Sequence, residues 1–177
     1  MDRQKVAGVL GTVCGALIVI ALLLNWWGYP AAFDHPEDLP RAAAFSAEQA
    51  ASSGREPHLD AFEFFKVRDL VWLAAGVVGF AFGLIALTRA RIATLVTAAV
   101  GALALVAALL IALTLISPPD YADPGPESVK PFDFGVDLPL SAQPGAFVAL
   151  AAAWGLVISV GVALVEGERR RRRAGHP

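Results

Sequence analysis

The sequence predicts an all-α membrane protein, a bundle of four transmembrane helices with two extracytoplasmic loops, the second of them partly extended. About 20 apolar residues suffice for a helix to cross a bilayer. Four apolar runs without Asp, Glu, Lys, Arg or His cover positions 6–24, 70–87, 92–116 and 146–165. The composition agrees, since 56% of the residues are hydrophobic and 17% are charged, against roughly 45–50% and 25% in soluble domains.

The spans leave two sizeable segments outside the bilayer, residues 25–69 and 117–145. Neither has the size that usually buries an independent hydrophobic core. We therefore expect residues 1–177 to form a single four-span domain on which both loops pack. Pro118 is expected to end the third helix, and Pro144 occupies a position where the fourth helix can begin.

Basic residues are distributed unequally between the two sides of the membrane. The side with both termini carries nine Lys and Arg residues against Asp2, Glu166 and Glu168, whereas the loop side carries five basic residues against thirteen acidic ones. Lys and Arg near span ends are retained in the cytoplasm. We therefore expect a multi-pass protein of the cell membrane with both termini cytoplasmic and both loops outside.

The first apolar run is predicted to be a retained helix rather than a cleaved signal peptide. Its 19 residues exceed the ~7–15 of a signal-peptide core, and no small-residue cleavage site follows it. Instead the run is followed by Trp26 and Trp27, which with Tyr29 suit the headgroup layer of the membrane. Gly28 and Pro30 are expected to stop the helix.

The first loop contains two predicted helices. Residues 41–52 indicate a short surface helix with a weak apolar face. Asp60 and Glu63 have the spacing of a capping box, in which each side chain satisfies a free backbone amide at a helix start. The second membrane helix is therefore expected to begin there and to carry Phe62 and Phe65 through the outer interface.

Apolar and polar residues alternate in the second loop, and a period of two is typical of a strand. The apolar positions are Phe132, Phe134, Val136, Leu138 and Leu140. Pro139 favours an edge strand. Such an apolar face would form an exposed strip in water unless it were covered. We expect it to join the two loops into one cap by packing on an aromatic cluster of Trp26, Trp27, Phe62 and Phe65.

Small residues in the spans favour close helix packing. Gly11 and Gly15, and again Gly79 and Gly83, have the GxxxG spacing that lets two helix backbones approach. Packing within the bundle is the favoured interpretation, and dimerisation is the alternative. Cys14, the only cysteine, is expected to be a packing residue and cannot form an internal disulfide.

A basic segment follows the last apolar run. It consists of Arg169, Arg170, Arg171, Arg172 and Arg173, termed here the arginine tail. The tail is expected to fix the orientation of the last span. Binding of anionic lipid headgroups is compatible with that role, since each arginine near such a surface contributes on the order of 1 kcal/mol.

The sequence contains no recognisable catalytic, cofactor-binding or metal-binding signature. No nucleophile stands in a catalytic context, no glycine-rich loop follows a strand, and no basic aromatic patch indicates a nucleic-acid partner. Some side chains of the first loop could ligate a divalent cation, but their spacing fits no metal template and a solvated acidic loop is favoured. They are Asp34, His35, Glu37, Asp38, His58 and Asp60.

The membrane spans also give little indication of transport. An ion pathway usually places an ionisable residue inside a span, and the four apolar runs contain none. The hydroxyls of the span region are expected to bond back to their own helices, and they belong to Thr12, Thr88, Thr94, Thr97, Thr114 and Ser159. We therefore predict a non-enzymatic envelope or accessory subunit, in contact with the lipid bilayer and with a membrane-protein partner or a second copy. A small-solute transporter or channel component is the alternative.

Three short segments give the chain a recognisable layout. Residues 24–27 close span one, residues 60–65 with Asp69 open span two, and residues 143–147 open span four. In this arrangement the chain resembles the small four-span membrane proteins widespread in high-GC actinobacteria. The resemblance implies the four-span fold and no particular chemistry.

Overall fold

Each apolar run forms a long helix. The computed structural model describes residues 3–53, 68–88, 92–118 and 136–174. The α-helices within these ranges are α1 (Arg3–Leu22), α2 (Arg41–Ser53), α3 (Arg68–Leu87), α4 (Thr94–Ile116) and α5 (Pro144–Ala174). All except α2 are long and apolar enough to cross a membrane. The chain is therefore a multi-pass membrane protein with the predicted all-α four-span fold.

The four membrane helices form an antiparallel ring. α1 packs on α3 and α5, and α4 completes the ring by packing on the same two helices. Ser159 in α5 reaches Ala7 near the start of α1, whereas Gly145 at the start of α5 lies beside Asn25 just after α1. Both loops therefore leave from one end of the bundle, termed the loop end. The start of α1, the end of α3, the start of α4 and the end of α5 lie at the other, termed the terminal end.

Backbone contact between α1 and α3 depends on glycine. A Cβ atom on Gly15 would lie 2.7 Å from the carbonyl oxygen of Gly76, and one on Gly83 would lie 2.7 Å from the carbonyl carbon of Gly11. Side-chain carbons do not approach backbone atoms so closely, so no larger residue fits without separating the helices. The GxxxG spacing thus serves packing within the bundle, which confirms the favoured interpretation.

Many of the buried residues between the helices are alanines. Those with little or no exposure include Ala7, Ala21, Ala75, Ala104, Ala107, Ala108, Ala149 and Ala153. Cys14 is also buried, as predicted, and its sulfur occupies the space that a side chain on Gly155 would need. Larger side chains, among them Ile18, Ile111 and Leu156, complete the main apolar cluster, and Phe82, Val100 and Val160 form a second one.

Several element boundaries agree with the sequence signals. α4 ends at Ile116, directly before Ser117 and Pro118, and α5 begins at Pro144. The predicted surface helix is present as α2, which lies on two short 3-10 helices, Ala31–Asp34 and Pro36–Asp38.

Other boundaries differ from the prediction. α1 ends at Leu22 rather than with the apolar run, because Leu23 and Leu24 turn back through hydrogen bonds to Ile20 and Ala21. α5 continues through the arginine tail to Ala174, well beyond the predicted end at position 165. The predicted helix start at Asp60 and Glu63 lies outside the described residues.

Candidate interaction sites at the two ends of the bundle

A short antiparallel strand pair joins the two loops at the loop end. β1 (Trp27–Gly28) pairs with β2 (Ser141–Ala142), with Trp27 opposite Ala142 and Gly28 opposite Ser141. The Ser141 hydroxyl donates a 2.8 Å hydrogen bond to the Tyr29 carbonyl. This pairing, termed the clasp, connects segments more than 100 positions apart, since Ser141 and Tyr29 are separated by 112.

Backbone hydrogen bonds extend the clasp to the membrane helices. The Gln143 amide donates to the Trp26 carbonyl at 2.8 Å, and the Gly145 amide donates to the Asn25 carbonyl at 3.0 Å. Glycine is needed at 145, because a Cβ there would lie 3.0 Å from the Leu24 Cβ and closer still to the Asn25 carbonyl. The end of α1 is thereby fastened to the beginning of α5.

A cluster of buried indoles lies beneath the clasp. The rings of Trp26 and Trp72 stack with centroids 4.7 Å apart and planes inclined by 18°. The Trp26 Nε1 donates a 2.6 Å hydrogen bond to the Ala21 carbonyl. Trp27 is also fully buried, and its Nε1 meets no acceptor among the described residues. The indoles are therefore packed against protein, in contrast to the predicted placement at lipid headgroups.

The sequence analysis identified part of this cluster and missed the rest. Trp26 and Trp27 were predicted packing residues, but their aromatic partner Trp72 was not. Asp69 lies one helical turn before Trp72 and is 1% exposed, and it was not among the predicted packing residues either. Their i,i+3 spacing in α3 was the available signal, because such residues share one helix face. The other predicted packing residues, Phe62, Phe65, Phe132 and Phe134, lie outside the described residues.

The alternating segment of the second loop is only partly strand-like. Leu138 and Leu140 are buried, while Asp137 and Pro139 are exposed, as a period of two requires. Val136 departs from the prediction with 40% exposure, because the chain bends there. The actual ladder begins one residue after the predicted segment, at Ser141.

Replacing Leu138 with Asp should loosen both loops. The substitution places a charge in an apolar site and forfeits burial that stabilises the cap by ~1.5–3 kcal/mol. Because the clasp begins three residues later, at Ser141, release of this segment should also free β1. We expect faster cleavage by a glutamate-specific protease in the first loop, which contains Glu37 and Glu48, as well as in the second, which contains Glu127. Val136→Asp, at an exposed position of the same segment, is the control and should leave cleavage of the first loop unchanged. Faster cleavage confined to the second loop would contradict a shared cap.

The surface of the loop end is acidic. Asp34, Glu37, Asp38 and Glu48 are exposed, and the one histidine among them contacts an acid, with His35 Nδ1 3.5 Å from Glu37 Oε1. No group of three His, Cys, Asp or Glu side chains in the described ranges could hold a metal ion. His58 and Asp60, the other candidate ligands, lie outside those ranges. An exposed acidic surface of this kind can contact basic groups of a partner.

Hydroxyl groups in the bundle are satisfied mainly within it. Thr12, Thr97 and Thr114 each donate to the carbonyl four residues earlier, as predicted. Ser159 does not follow that prediction, because its Oγ donates a 2.7 Å hydrogen bond to the Ala7 carbonyl of α1. Antiparallel packing of α1 and α5 brings the Ala7 carbonyl within hydrogen-bonding distance of this hydroxyl. The bond is buried and ties the last span to the first.

The arginine tail forms the other candidate site, at the terminal end. Arg170 Nε contacts Glu166 at 3.2 Å, and Arg172 Nη2 contacts Glu168 at 2.7 Å, both across one helical turn. Arg171 instead donates a 2.6 Å hydrogen bond to the hydroxyl of Thr94, the first residue of α4. The tail is therefore an ordered helix in which individual arginines have different neighbours.

No protein-family model, no curated protein and no solved structure matches this chain. Its function is therefore inferred from its own residues and their arrangement.

Proposed function

We propose that this protein is a non-enzymatic accessory subunit of the cell membrane that binds another envelope or membrane protein at its loop end. The filling of the bundle interior is the observation that carries this proposal. Glycine lets α1 and α3 meet backbone to backbone, and buried alanines close the remaining space. Such packing supports a rigid membrane anchor for the cap.

The chemistry of the loop end supports a role in binding. The clasp holds residues 27–28 against residues 141–142, so the described part of the loop end presents a preformed surface and loses little conformational entropy on binding. That surface combines the exposed acids with Phe45 on α2, whose side chain is 67% exposed. A partner with basic residues around an apolar contact would complement it.

A small-solute transporter or channel component is the competing proposal. It requires a polar route between the spans, and polar groups in transport routes commonly line a water-filled cavity. The buried hydroxyls of Thr97, Thr114 and Ser159 are instead bonded to helix carbonyls. Their hydrogen bonds favour the anchor over the transporter.

The proposed orientation places the loop end outside and the terminal end in the cytoplasm. Its support is the excess of basic residues at the terminal end, which favours retention on the cytoplasmic side. The arginine tail then lies at the inner leaflet, where anionic lipids concentrate. We include contact between the tail and anionic lipid in the proposal.

Reactivity with a charged, impermeant thiol reagent should separate these proposals. Cys14 lies near the middle of α1 and is buried, so the native protein should stay unlabelled in membranes and become labelled after denaturation in SDS. Such a reagent reacts only where water reaches the thiol. In intact cells an added cysteine at Ser53 should react, and one at Ala174 should react only after permeabilisation.

Each result has a contrary outcome. Rapid labelling of native Cys14 would indicate a water pathway and favour the transporter. Labelling of the Ala174 variant but not the Ser53 variant in intact cells would reverse the orientation. Purification from the native membrane, followed by identification of the co-purifying proteins, would then identify the partner. If the protein purified without any other protein, the accessory role would be contradicted.

A further inference from the structure

The length of α5 places the arginine tail at the membrane boundary. Pro144–Ala174 comprises 31 residues, which at about 1.5 Å per residue exceed the ~30 Å apolar core of a bilayer by some ten residues. Arg171 reaches the first residue of α4, and Gly101 of α4 lies beside Val160. The helical tail therefore lies level with the end of the bundle, where headgroups begin.

One face of α5 is turned away from the other helices. Its residues recur at spacings of three and four and are all exposed: Phe147, Ala151, Trp154, Ile158, Gly161 and Val165. Such spacing defines a single stripe along a helix. The first arginine on the same side of the helix is Arg169, four residues after Val165. The lipid-facing stripe thus reaches the headgroup layer at this arginine.

The arginines of the tail are not equivalent in charge. Glu166 and Glu168 compensate Arg170 and Arg172, and Arg171 is engaged with Thr94. Arg169 is exposed and makes no hydrogen bond or ion pair with the described residues. Among the tail arginines whose side chains the structure describes, Arg169 is therefore the one with neither an acidic partner nor a hydrogen bond.

We propose that Arg169 binds the phosphate of an anionic phospholipid at the boundary of α5, while Arg170 and Arg172 are neutralised within the helix and Arg171 fastens α5 to α4. A guanidinium forms charge-assisted, bidentate hydrogen bonds with phosphate oxygens. The inference rests on the tail's proposed contact with anionic lipid and assigns that contact to one residue. It differs from a uniform polybasic tail, in which every arginine contributes alike.

The full-length protein, reconstituted in bilayers, allows a direct test. The probes are spin-labelled phosphatidylglycerol and spin-labelled phosphatidylcholine, and the measured quantity is the ratio of their association with the protein. Arg169→Gln should lower the preference for phosphatidylglycerol about fivefold, the factor that corresponds to ~1 kcal/mol for one arginine at an anionic surface. Arg170→Gln removes the same charge from an ion-paired position and is the matched control. We expect it to change the preference for phosphatidylglycerol by less than about twofold.

The outcomes separate the assignment from the proposal on which it rests. Equal losses in the two variants would overturn the role of Arg169 and leave a uniform basic tail. No preference for phosphatidylglycerol in the wild-type protein would overturn the lipid contact itself. A double variant, Glu166→Gln with Arg170→Gln, keeps the net charge and should retain the wild-type preference for phosphatidylglycerol. Loss of that preference in the double variant would also contradict the assignment.

Discussion

Replacing Gly83 with valine should prevent α1 and α3 from packing. The new Cβ would lie 2.7 Å from the carbonyl carbon of Gly11 and overlap the Thr12 backbone. Backbone atoms cannot rotate away as a side chain can, so the helices would have to separate. Overpacking generally costs about 1–3 kcal/mol and occasionally more, and we expect this site to lie at the upper end. Unfolding in mixed micelles of increasing SDS content would measure the loss.

Gly161→Val is the matched control for that experiment. It makes the same change in a membrane helix, but among the described residues no side chain and no atom of a neighbouring helix lies within 4 Å of the position that the Cβ would take. Its unfolding curve should resemble that of the wild-type protein. If both substitutions destabilised the bundle equally, the effect would come from valine in a helix, and close packing of α1 on α3 would not explain it.

Replacing Trp26 with alanine should have a comparably large effect. The side chain is fully buried, stacks on Trp72 and donates a hydrogen bond to the Ala21 carbonyl. Truncation removes all three contributions and leaves a cavity at the loop end. Substitutions of this kind cost about 3–5 kcal/mol, so the variant should unfold at much lower SDS content.

Trp154→Ala tests whether burial is the cause. Trp154 lies on α5 with 43% exposure, and its loss removes the same group from a lipid-facing position. We expect a far smaller change in unfolding than for Trp26→Ala. A double-mutant cycle with Trp72→Ala should in addition give a coupling of ~0.5–1.5 kcal/mol for the stacked pair. If the losses of unfolding free energy caused by Trp26→Ala and Trp72→Ala were additive, the stacking would be contradicted.

The existence of the spans could be predicted from the sequence, but the faces that they bury could not. In water, polarity separates the inner from the outer face of a helix, whereas in lipid both faces are apolar. α4 illustrates this, since Leu95 and Leu113 are exposed while Ala104 and Ala107 are buried. Residue size does not separate the two faces either, since Ile111 is buried while Ala98, Ala99 and Ala102 are exposed. Neither polarity nor size alone therefore identifies the packing face of this helix.

The contacts at the loop end were beyond sequence reasoning for a different reason. Trp26 and Trp72 are separated by most of the first loop, and nothing local to either indicates the other. The hydrogen bond of Ser159 was unpredictable for the same reason, because its acceptor Ala7 lies 152 positions away. Glycine spacing was informative because it indicates a close backbone contact whichever helix supplies the partner.

The placement of the last helix beside the first also affects how the chain is completed during synthesis. Translation proceeds at about 5–20 residues per second, so the 152 positions between Ala7 and Ser159 correspond to roughly 8–30 s. During that interval α1 can pair with α3, but the flank that will receive α5 still faces lipid. The clasp and the Ser159 hydrogen bond form only when the final span has inserted. Packing of the bundle is therefore completed by the carboxyl-terminal helix. A ribosome that stalls before α5 leaves a three-helix intermediate in which one face of α1 is uncovered and the clasp has not formed.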